Sequence, residues 1–417
     1  MKTTPTLLTR TECAALRGLA IIAIVLHNYC HFVGSIVKEN EYQFFTSNND
    51  RLMQALSSPD SLLPAHLLSY FGHYGVPVFL FLSGFGLVMK YERGSAPNDS
   101  LDRRLSFVRY HYLKLLRMLI VGFTIFLMVD AVTPGRFHFH WNHVVAQLVM
   151  YINVLPTPDK IIWPGIYWFF GLMIELYIVY RFLLYRRHYG WTVALMAVCW
   201  ILQMVCDPEG ETLNRLRYNF IGGMVPFGMG ILWARYEQWR KAMPLWGRGV
   251  WSVILLVSLI LLFVMSYTFQ TWLWVPVIAI VGSVAFVKSI PAGAGHVLAW
   301  FGGLSAAMFV AHPIIRKLFI TVAWRGDLYD GLMLYVVVVI GASWAVRLLI
   351  VQIPQPQSDK LYAYQGHRTG KYQPFPRRTD GSRHALHHPF PCGITPHRFV
   401  FWPPSLWQYR RRYISLS

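Results

Sequence analysis

Charged residues and cysteine pairs are scarce in this sequence. Only 14% of the 417 residues are Asp, Glu, Lys or Arg, whereas 55% are hydrophobic. Several apolar runs of about 20 residues are each long enough to cross a bilayer core of roughly 30 Å, so the composition predicts a polytopic membrane protein. The five cysteines include no Cys-x-x-Cys pair and lie mostly in apolar segments. They imply neither a disulfide framework nor a zinc site.

The first apolar run lacks the small-x-small cleavage site of a secretory signal and is followed by further spans. We therefore interpret it as a retained helix. Hydropathy and length predict an all-α fold, a polytopic membrane helix bundle of about ten transmembrane helices. The predicted spans are residues 14–37, 71–89, 117–132, 163–184, 191–206, 220–233, 250–267, 272–287, 297–319 and 331–350.

Basic residues set the predicted orientation. Lys and Arg are frequent in the links near residues 90–114 and 186–248, which lie in the cytoplasm if the N-terminus does. The positive-inside rule then predicts a multi-pass protein of the cell (inner or plasma) membrane with both termini cytoplasmic.

Residues 1–353 form the predicted membrane domain, and residues 354–417 form a separate basic tail. The tail has many Pro, His and Arg residues, two acidic residues and no sustained apolar period, so we expect a disordered cytoplasmic segment that could touch anionic lipid. It inflates the formal charge of +19, which therefore gives little reason to propose nucleic acid as a partner.

Three ionisable residues fall at comparable depths inside different predicted spans: His27, Glu175 and His312. Ionisable groups are costly in lipid, so such a set indicates a shared polar interior with a function. The alternative is that the histidines only form hydrogen bonds to neighbouring helices.

Basic residues precede His27 on the first helix. Arg10 and Arg17 are seven residues apart and share a helix face, with Arg17 about 15 Å from His27 along the axis. A histidine can take a proton from a hydroxyl and return it to a leaving group, and arginine binds phosphate through paired hydrogen bonds. The residues indicate acyl transfer from a phosphorylated donor to an alcohol.

Six ordered segments resemble those of a known family, the acyltransferase-3 integral membrane proteins. Arg10 followed by Leu16-Arg17-Gly18-Leu19-Ala20 and His27 resembles its opening motif. Further similarity lies in Gly75-Val76-Pro77-Val78-Phe79-Leu80-Phe81-Leu82-Ser83-Gly84-Phe85, Lys114-Leu115-Leu116-Arg117, Trp168 to Glu175 with Tyr177, Phe227-Gly228-Met229-Gly230 and Leu304-Ser305 through His312-Pro313. The resemblance covers roughly residues 10–350, with two departures. Ala14 stands where many members carry an acid, a role for which Glu12 is the candidate, and Lys114 stands where Arg is usual.

The resemblance implies an O-acyltransferase that moves a short acyl group, commonly acetyl from acetyl-CoA, to a sugar hydroxyl in O-acetylation of polysaccharide. His27 would be the general base or a transient acyl carrier. Glu175 and His312 would shape the acceptor end or tune protonation. The donor's phosphates would be held by Arg10, Arg17, Lys114 and Arg117.

The implied partners are an acyl-CoA co-substrate, a carbohydrate or lipid-linked glycan acceptor, and membrane lipids. No permanently bound cofactor or metal is expected. A His-x-His-x-x-His segment, His138, His140 and His143, has no second cluster to support a metal site.

Two other functions stay open from the residues alone. Polytopic bundles with buried charges also act as transporters or flippases of a lipid-linked glycan or small anion, although paired repeat halves cannot be found here. A scaffold or sensor whose polar groups only fix helix packing is the third possibility.

Overall fold

The computed structural model describes residues 8–92, 99–239 and 246–356, and within these ranges every regular element is helical. The predicted tail, residues 354–417, lies outside the described residues from position 357 onward. The helices are α1 (Arg10–Cys30), α2 (Thr46–Ser57), α3 (Leu63–Phe71), α4 (Gly75–Tyr91), α5 (Leu101–Val132), α6 (Trp141–Leu148), α7 (Pro158–Ile161), α8 (Trp168–Val179), α9 (Tyr189–Met204), α10 (Glu211–Tyr218), α11 (Phe220–Trp239), α12 (Arg248–Met265), α13 (Phe269–Trp272), α14 (Val275–Ser289), α15 (Ala292–Trp324) and α16 (Leu328–Gln352).

Seven helical stretches in the described part of the chain are long and apolar enough to cross a membrane. These are Arg10–Cys30, Leu63–Tyr91, Leu101–Val132, Gly165–Leu184, Arg248–Met265, Ala292–Trp324 and Leu328–Gln352. α9 and α14 are shorter apolar helices, and α11 occupies the remaining predicted position. The prediction of an all-α polytopic membrane bundle is therefore confirmed.

The first predicted span, residues 14–37, is wrong at its far end, because α1 ends at Cys30. The amides of Phe32 and Val33 bond to carbonyls three residues back, which tightens the chain into a turn. Val37 then packs with Leu52 and Tyr70 inside the protein. The apolar residues after Cys30 thus extended the hydropathy signal without extending the helix.

α1 and α15 run side by side in the same direction, since Asn28 bonds to Arg316 and Phe32 bonds to Trp324. We call the end of the bundle where α1 begins the Arg10 end, and the opposite one the Cys30 end. Toward the Arg10 end the two backbones almost touch. A Cβ added to Gly18 would lie 1.9 Å from the Leu298 carbonyl oxygen.

The same contact is reciprocal, because a Cβ added to Gly302 would lie 1.9 Å from the carbonyl oxygen of Ala14. Small residues at such a crossing let membrane helices approach closely, and dispersion and packing replace the hydrophobic effect that lipid cannot supply. The crossing fixes α15, and with it His312, against α1.

A buried ion pair ties helices together at the Arg10 end. Arg235 of α11 donates from Nε and Nη2 to the two carboxylate oxygens of Glu92, each at 2.9 Å. Its Nη2 also donates to the Leu184 carbonyl, and its Nη1 to Thr192 Oγ1. One guanidinium thereby joins the end of α4 to α9, α11 and the π-helical turn Tyr180–Leu184.

We expect Gly302→Ala to lower the thermal midpoint of the detergent-solubilised protein, because overpacking a tight contact costs about 1–3 kcal/mol. Gly303→Ala is the matched control, since a Cβ at this neighbouring position meets nothing within 4 Å. Thermal unfolding followed by size-exclusion chromatography measures both variants. Equal midpoints for the two would contradict the close crossing.

Candidate functional site

His27 lies toward the Cys30 end of α1 with only 8% of its surface exposed. Its Nδ1 is 2.7 Å from the backbone carbonyl oxygen of Ser69 on α3. A carbonyl only accepts hydrogen bonds, so Nδ1 carries the proton and Nε2 keeps its lone pair. The ring is therefore held in the tautomer that a general base or an acyl-accepting nucleophile requires.

Two glycines bring the α3–α4 junction close enough to α1 to make this hydrogen bond. A Cβ at Gly72 would lie 2.7 Å from both the Ala23 carbonyl oxygen and His27 Cβ. At Gly75 it would lie 2.4 Å from the Ala20 carbonyl oxygen. Only glycine permits this approach without a shift of the backbone.

Further imidazoles surround His27. The ring centroids of His31 and His73 are 5.0 Å and 5.4 Å from that of His27. His312, which is fully buried on α15, lies within electrostatic range of His27. We call these four residues the histidine cluster. The structure thus brings two of the predicted catalytic residues, His27 and His312, together.

His312 and Arg316 present two different groups to this region. His312 Nδ1 is 3.0 Å from the Met308 carbonyl oxygen, while its Nε2 has no hydrogen-bond partner of normal geometry among the described residues. Arg316 donates to Asn28 Oδ1 at 3.0 Å and lies within electrostatic range of His27. A cation beside His27 can stabilise negative charge that develops on a reacting carbonyl oxygen.

Glu175, the third predicted catalytic residue, belongs to a different network. Its Oε1 accepts from Asn153 Nδ2 at 2.8 Å, and its Oε2 accepts from the Phe220 amide at 2.7 Å. Phe220 begins α11, so the carboxylate caps the N-terminus of that helix. Its described hydrogen bonds hold α8 and α11 together, and the catalytic role of Glu175 stays a prediction.

Basic side chains from three helices converge at the Arg10 end. Lys114 of α5 lies within electrostatic range of Arg17, Lys90 and Arg117. We call these four residues the cationic cluster. Arg10, at the exposed start of α1, lies two turns before Arg17 on the same helix. Four of the predicted donor-binding residues therefore lie on α1 and α5, and Lys90 of α4 joins them.

Arg117 also has a structural role, because its Nη2 donates to the Ile350 carbonyl oxygen at 2.7 Å near the end of α16. Glu12, which the sequence suggested as a partner for the arginines, is engaged elsewhere. It forms a capping box with Thr9 and an ion pair with Lys288 Nζ at 2.7 Å.

Sequence reasoning missed the role of residues 38–45, which follow the end of α1 and which we call the buried segment because Glu39 and Phe44 in it are buried. Glu39 in this segment is 1% exposed, and Asn48 donates to its Oε2 at 3.1 Å. Arg217 of α10 donates to the Glu41 carbonyl oxygen and to Gln203 Oε1, and its guanidinium lies 4.4 Å from the Trp272 ring. The only sequence signal was two acids in a link that reads as solvated.

Aromatic rings line the other side of the buried segment. The rings of Tyr42 and Tyr218 stack at 4.0 Å, and Trp168 meets both edge-on at 5.4 Å and 5.7 Å. Trp168 is part of the motif that carries Glu175, so the stack links the buried segment to α8.

An open cavity of about 510 Å³ lies at the Cys30 end, beyond the buried segment. Phe44 forms part of its wall and packs 5.8 Å from Trp272, which in turn covers Arg217. The lining residues are Phe44, Thr46, Asp207, Pro208, Glu209, Tyr267, Thr268 and Phe269.

Burial raises the pKa of the Glu39 carboxyl to about 8, against the opposing effects of the Asn48 hydrogen bond and the Arg217 charge. Between its ordinary pKa near 4.5 and this value, the folded protein holds a proton that the unfolded chain releases. Stability arising from this group is therefore present at low pH and is lost as the pH rises toward 8.

We accordingly expect the thermal midpoint of Glu39→Gln, relative to wild type, to be higher at pH 8 than at pH 5. The neutral amide removes the cost of ionising a buried carboxyl. The charge of Arg217 acts on Glu39, so the comparison is made as a difference between the two proteins. Asp50→Asn, an exposed charge removal on α2, should show a pH-independent difference. A pH-independent difference for Glu39→Gln would refute the buried neutral carboxyl.

Comparison with known proteins identifies the class to which this bundle belongs. A family model described as an acyltransferase domain matches residues 14–349, which include nearly all of the spanning helices. The multi-pass membrane protein is thus an acyltransferase by family. The chain belongs to the acyltransferase-3 family, as the ordered motifs indicated. No curated protein and no solved structure matches it.

Proposed function

We propose that this protein transfers an acetyl or other short acyl group from acyl-CoA to a hydroxyl of a cell-surface or lipid-linked carbohydrate. The donor enters at the Arg10 end, which faces the cytoplasm of the cell that carries the protein in its inner or plasma membrane. The acceptor enters at the Cys30 end. The observation that carries the proposal is the fixed tautomer of His27, which leaves the lone pair of Nε2 available for reaction. The cationic cluster lies on the same bundle, toward the Arg10 end.

The donor binds through charge. Lys114 lies within electrostatic range of Arg17 and Lys90, so a phosphorylated donor that binds beside Lys114 is attracted by several positive charges at once. The helix places His27 ten residues beyond Arg17, about 15 Å along the axis. The extended arm of coenzyme A can bridge such a distance, which leaves the nucleotide at the Arg10 end and the thioester near His27.

Two routes use the same imidazole. As a general base, Nε2 takes the proton from the acceptor hydroxyl while the hydroxyl oxygen attacks the thioester carbonyl. The protonated ring then gives this proton to the departing thiolate of CoA. As an acyl carrier, Nε2 attacks the thioester carbonyl, the C–S bond breaks, and CoA leaves as the thiolate while the acylated ring keeps its Nδ1 proton and a positive charge. The acceptor oxygen then attacks the acyl carbon, the bond from that carbon to Nε2 breaks, and the hydroxyl proton passes to the CoA thiolate. In both routes Arg316 lies near the oxyanion, and His312 tunes protonation.

No permanently bound cofactor takes part in this scheme, and acyl-CoA is a co-substrate. Glu175 contributes by holding α8 and α11 in place at the acceptor side.

His27→Asn is the sharpest test of the base. An asparagine amide can still donate to the Ser69 carbonyl, but nothing replaces Nε2, so we expect transfer to fall by at least about 100-fold with the thermal midpoint retained. The assay follows label from acetyl-CoA, labelled in the acyl group, into glycan. His188→Asn is the control, since His188 is exposed and caps α9 through Nδ1, a role that asparagine can fill.

The outcomes separate three functions. Transfer lost only in His27→Asn supports the enzyme. Unlabelled glycan crossing a proteoliposome membrane without acyl transfer identifies a transporter instead. Loss of folding in His27→Asn, with normal transfer by whatever protein remains folded, indicates a purely structural role.

The cationic cluster predicts how the donor responds to mutation and salt. Lys114→Ala should raise the KM for acetyl-CoA about tenfold or more, with a smaller change in kcat, because one charge contact to phosphate is lost. The wild-type KM should also rise with ionic strength. Lys160→Ala, an exposed charge at the Cys30 end, is the control and should change neither parameter. A KM that is insensitive to Lys114 and to salt would place the donor elsewhere.

A further inference from the structure

We propose that the acceptor presents an uncharged, polyhydroxylated sugar unit to His27, and that Glu39 and His73 hold this unit between the histidine cluster and the buried segment 38–45. The proposal rests on the proposed function and adds an acceptor subsite and a ligand class to it.

Orphaned polar atoms mark the site. Glu39 Oε1, both ring nitrogens of His73, His31 Nδ1 and Ser69 Oγ are buried and make no hydrogen bond of normal geometry among the described residues, although Trp272 and Asn40 lie near the Glu39 carboxyl and the Tyr70 backbone lies near His73. Glu39 and His73 are 1% and 2% exposed. Folded proteins satisfy nearly all buried polar atoms, and an unpaired one costs about 1–3 kcal/mol. Several such atoms in one region indicate a space that a polar molecule completes.

These atoms lie beside the reacting imidazole. The His73 ring is 5.4 Å from that of His27, and Ser69 is the residue whose carbonyl fixes the His27 tautomer. Glu39 acts electrostatically on Tyr70 and Tyr74, which precede and follow the turn that carries His73. Arg217 lies within electrostatic range of both Glu39 and His73. A ligand held by Glu39 and His73 is therefore adjacent to His27.

The chemistry of the orphaned atoms matches hydroxyl groups. Imidazole nitrogens, a serine hydroxyl and a carboxyl oxygen offer donors and acceptors side by side, and a hydroxyl is the ligand group that both donates and accepts. A sugar ring supplies several hydroxyls at once. One of them would reach His27 Nε2 while its neighbours bind Glu39 and His73.

The charges of the site favour an uncharged sugar over a uronate. The cation nearest Glu39, Arg217, already donates through Nε and Nη1 to Glu41 and Gln203. A uronate carboxylate brought beside the buried, neutral Glu39 carboxyl would be a buried negative charge with little compensation. The open cavity behind Phe44 and Trp272 gives the Cys30 end a space in which the rest of a glycan can lie.

The test uses detergent-solubilised full-length protein, acetyl-CoA labelled in the acyl group, and two acceptor probes of the same stereochemistry, methyl β-D-glucopyranoside and methyl β-D-glucuronide. Wild type should transfer label to the glucoside in preference to the glucuronide. Glu39→Gln and His73→Gln should each raise the KM for the glucoside about tenfold, while the KM for acetyl-CoA changes less than twofold. Asp50→Asn is the matched control and should alter neither KM.

Each result decides one question. If wild type does not turn over acetyl-CoA at all, the proposed function fails. If turnover occurs but the glucuronide is preferred, or neither probe accepts label, the uncharged sugar class is overturned. If the glucoside KM is unchanged in both Glu39→Gln and His73→Gln, the subsite is overturned while the acyltransferase stands. The use of two variants covers the failure of either one to fold.

Discussion

The hydrogen bond from His27 to the Ser69 carbonyl depends on how closely two pieces of backbone approach each other. α1 and the α3–α4 junction meet where Gly72 and Gly75 leave no side chain between them. This contact sets the His27 tautomer, places His73 beside it, and directs the chain of α4 back toward the Arg10 end. A side chain at either glycine would push His27 away from the groups around it, because the backbone carbonyls of Ala23 and Ala20 that it would meet cannot move alone.

α1 acts as a rigid spacer between two chemically different regions. Its first turns carry Arg17 into the cationic cluster, and its last turns carry His27 into the histidine cluster. The capping box at Thr9 and the Glu12–Lys288 ion pair hold one end of the helix. The Gly18–Gly302 crossing then fixes α15 against it, so that His312 and Arg316 reach the same depth as His27. The distance between the cationic cluster and His27 is thus determined by helix geometry.

Much of the bundle could be predicted from the sequence, because a spanning helix is a long apolar run that can be recognised within one stretch of the chain. His27 and His312 were predicted to share a polar interior, because ionisable side chains at similar depth in different spans face the inside of the bundle and not the lipid. The end of α1 could not be predicted, since Val37 is apolar whether it faces lipid or, as here, packs with Leu52 and Tyr70. Glu39 and Arg217 were missed for the converse reason. A polar residue in a link looks solvated until the tertiary fold buries it.

Glu175 shows a third limit of the sequence, since depth alone does not assign a partner. Its position suggested a member of the catalytic set, but its oxygens satisfy the amide of Phe220 and the side chain of Asn153. The backbone amides in the first turn of α11 need acceptors inside an apolar bundle, and this need alone can explain an acid at that depth. Catalysis is the alternative explanation. Only the direction of the carboxylate, which is a tertiary property, distinguishes the two explanations.

The departure at Ala14 has a consequence for the donor end. The Ala14 backbone contacts α15 at Gly302, where an added Cβ would lie 1.9 Å from the Ala14 carbonyl oxygen. Position 14 therefore belongs to the close α1–α15 crossing. Glu12, the acid that could replace the missing charge, is committed to Thr9 and Lys288. Like charges on Arg17, Lys90, Lys114 and Arg117 are therefore held near one another by three helices whose positions are fixed by other contacts. The proposed function assigns these residues to the phosphates of the donor, because guanidinium and ammonium groups gathered from three helices match a polyanion in charge.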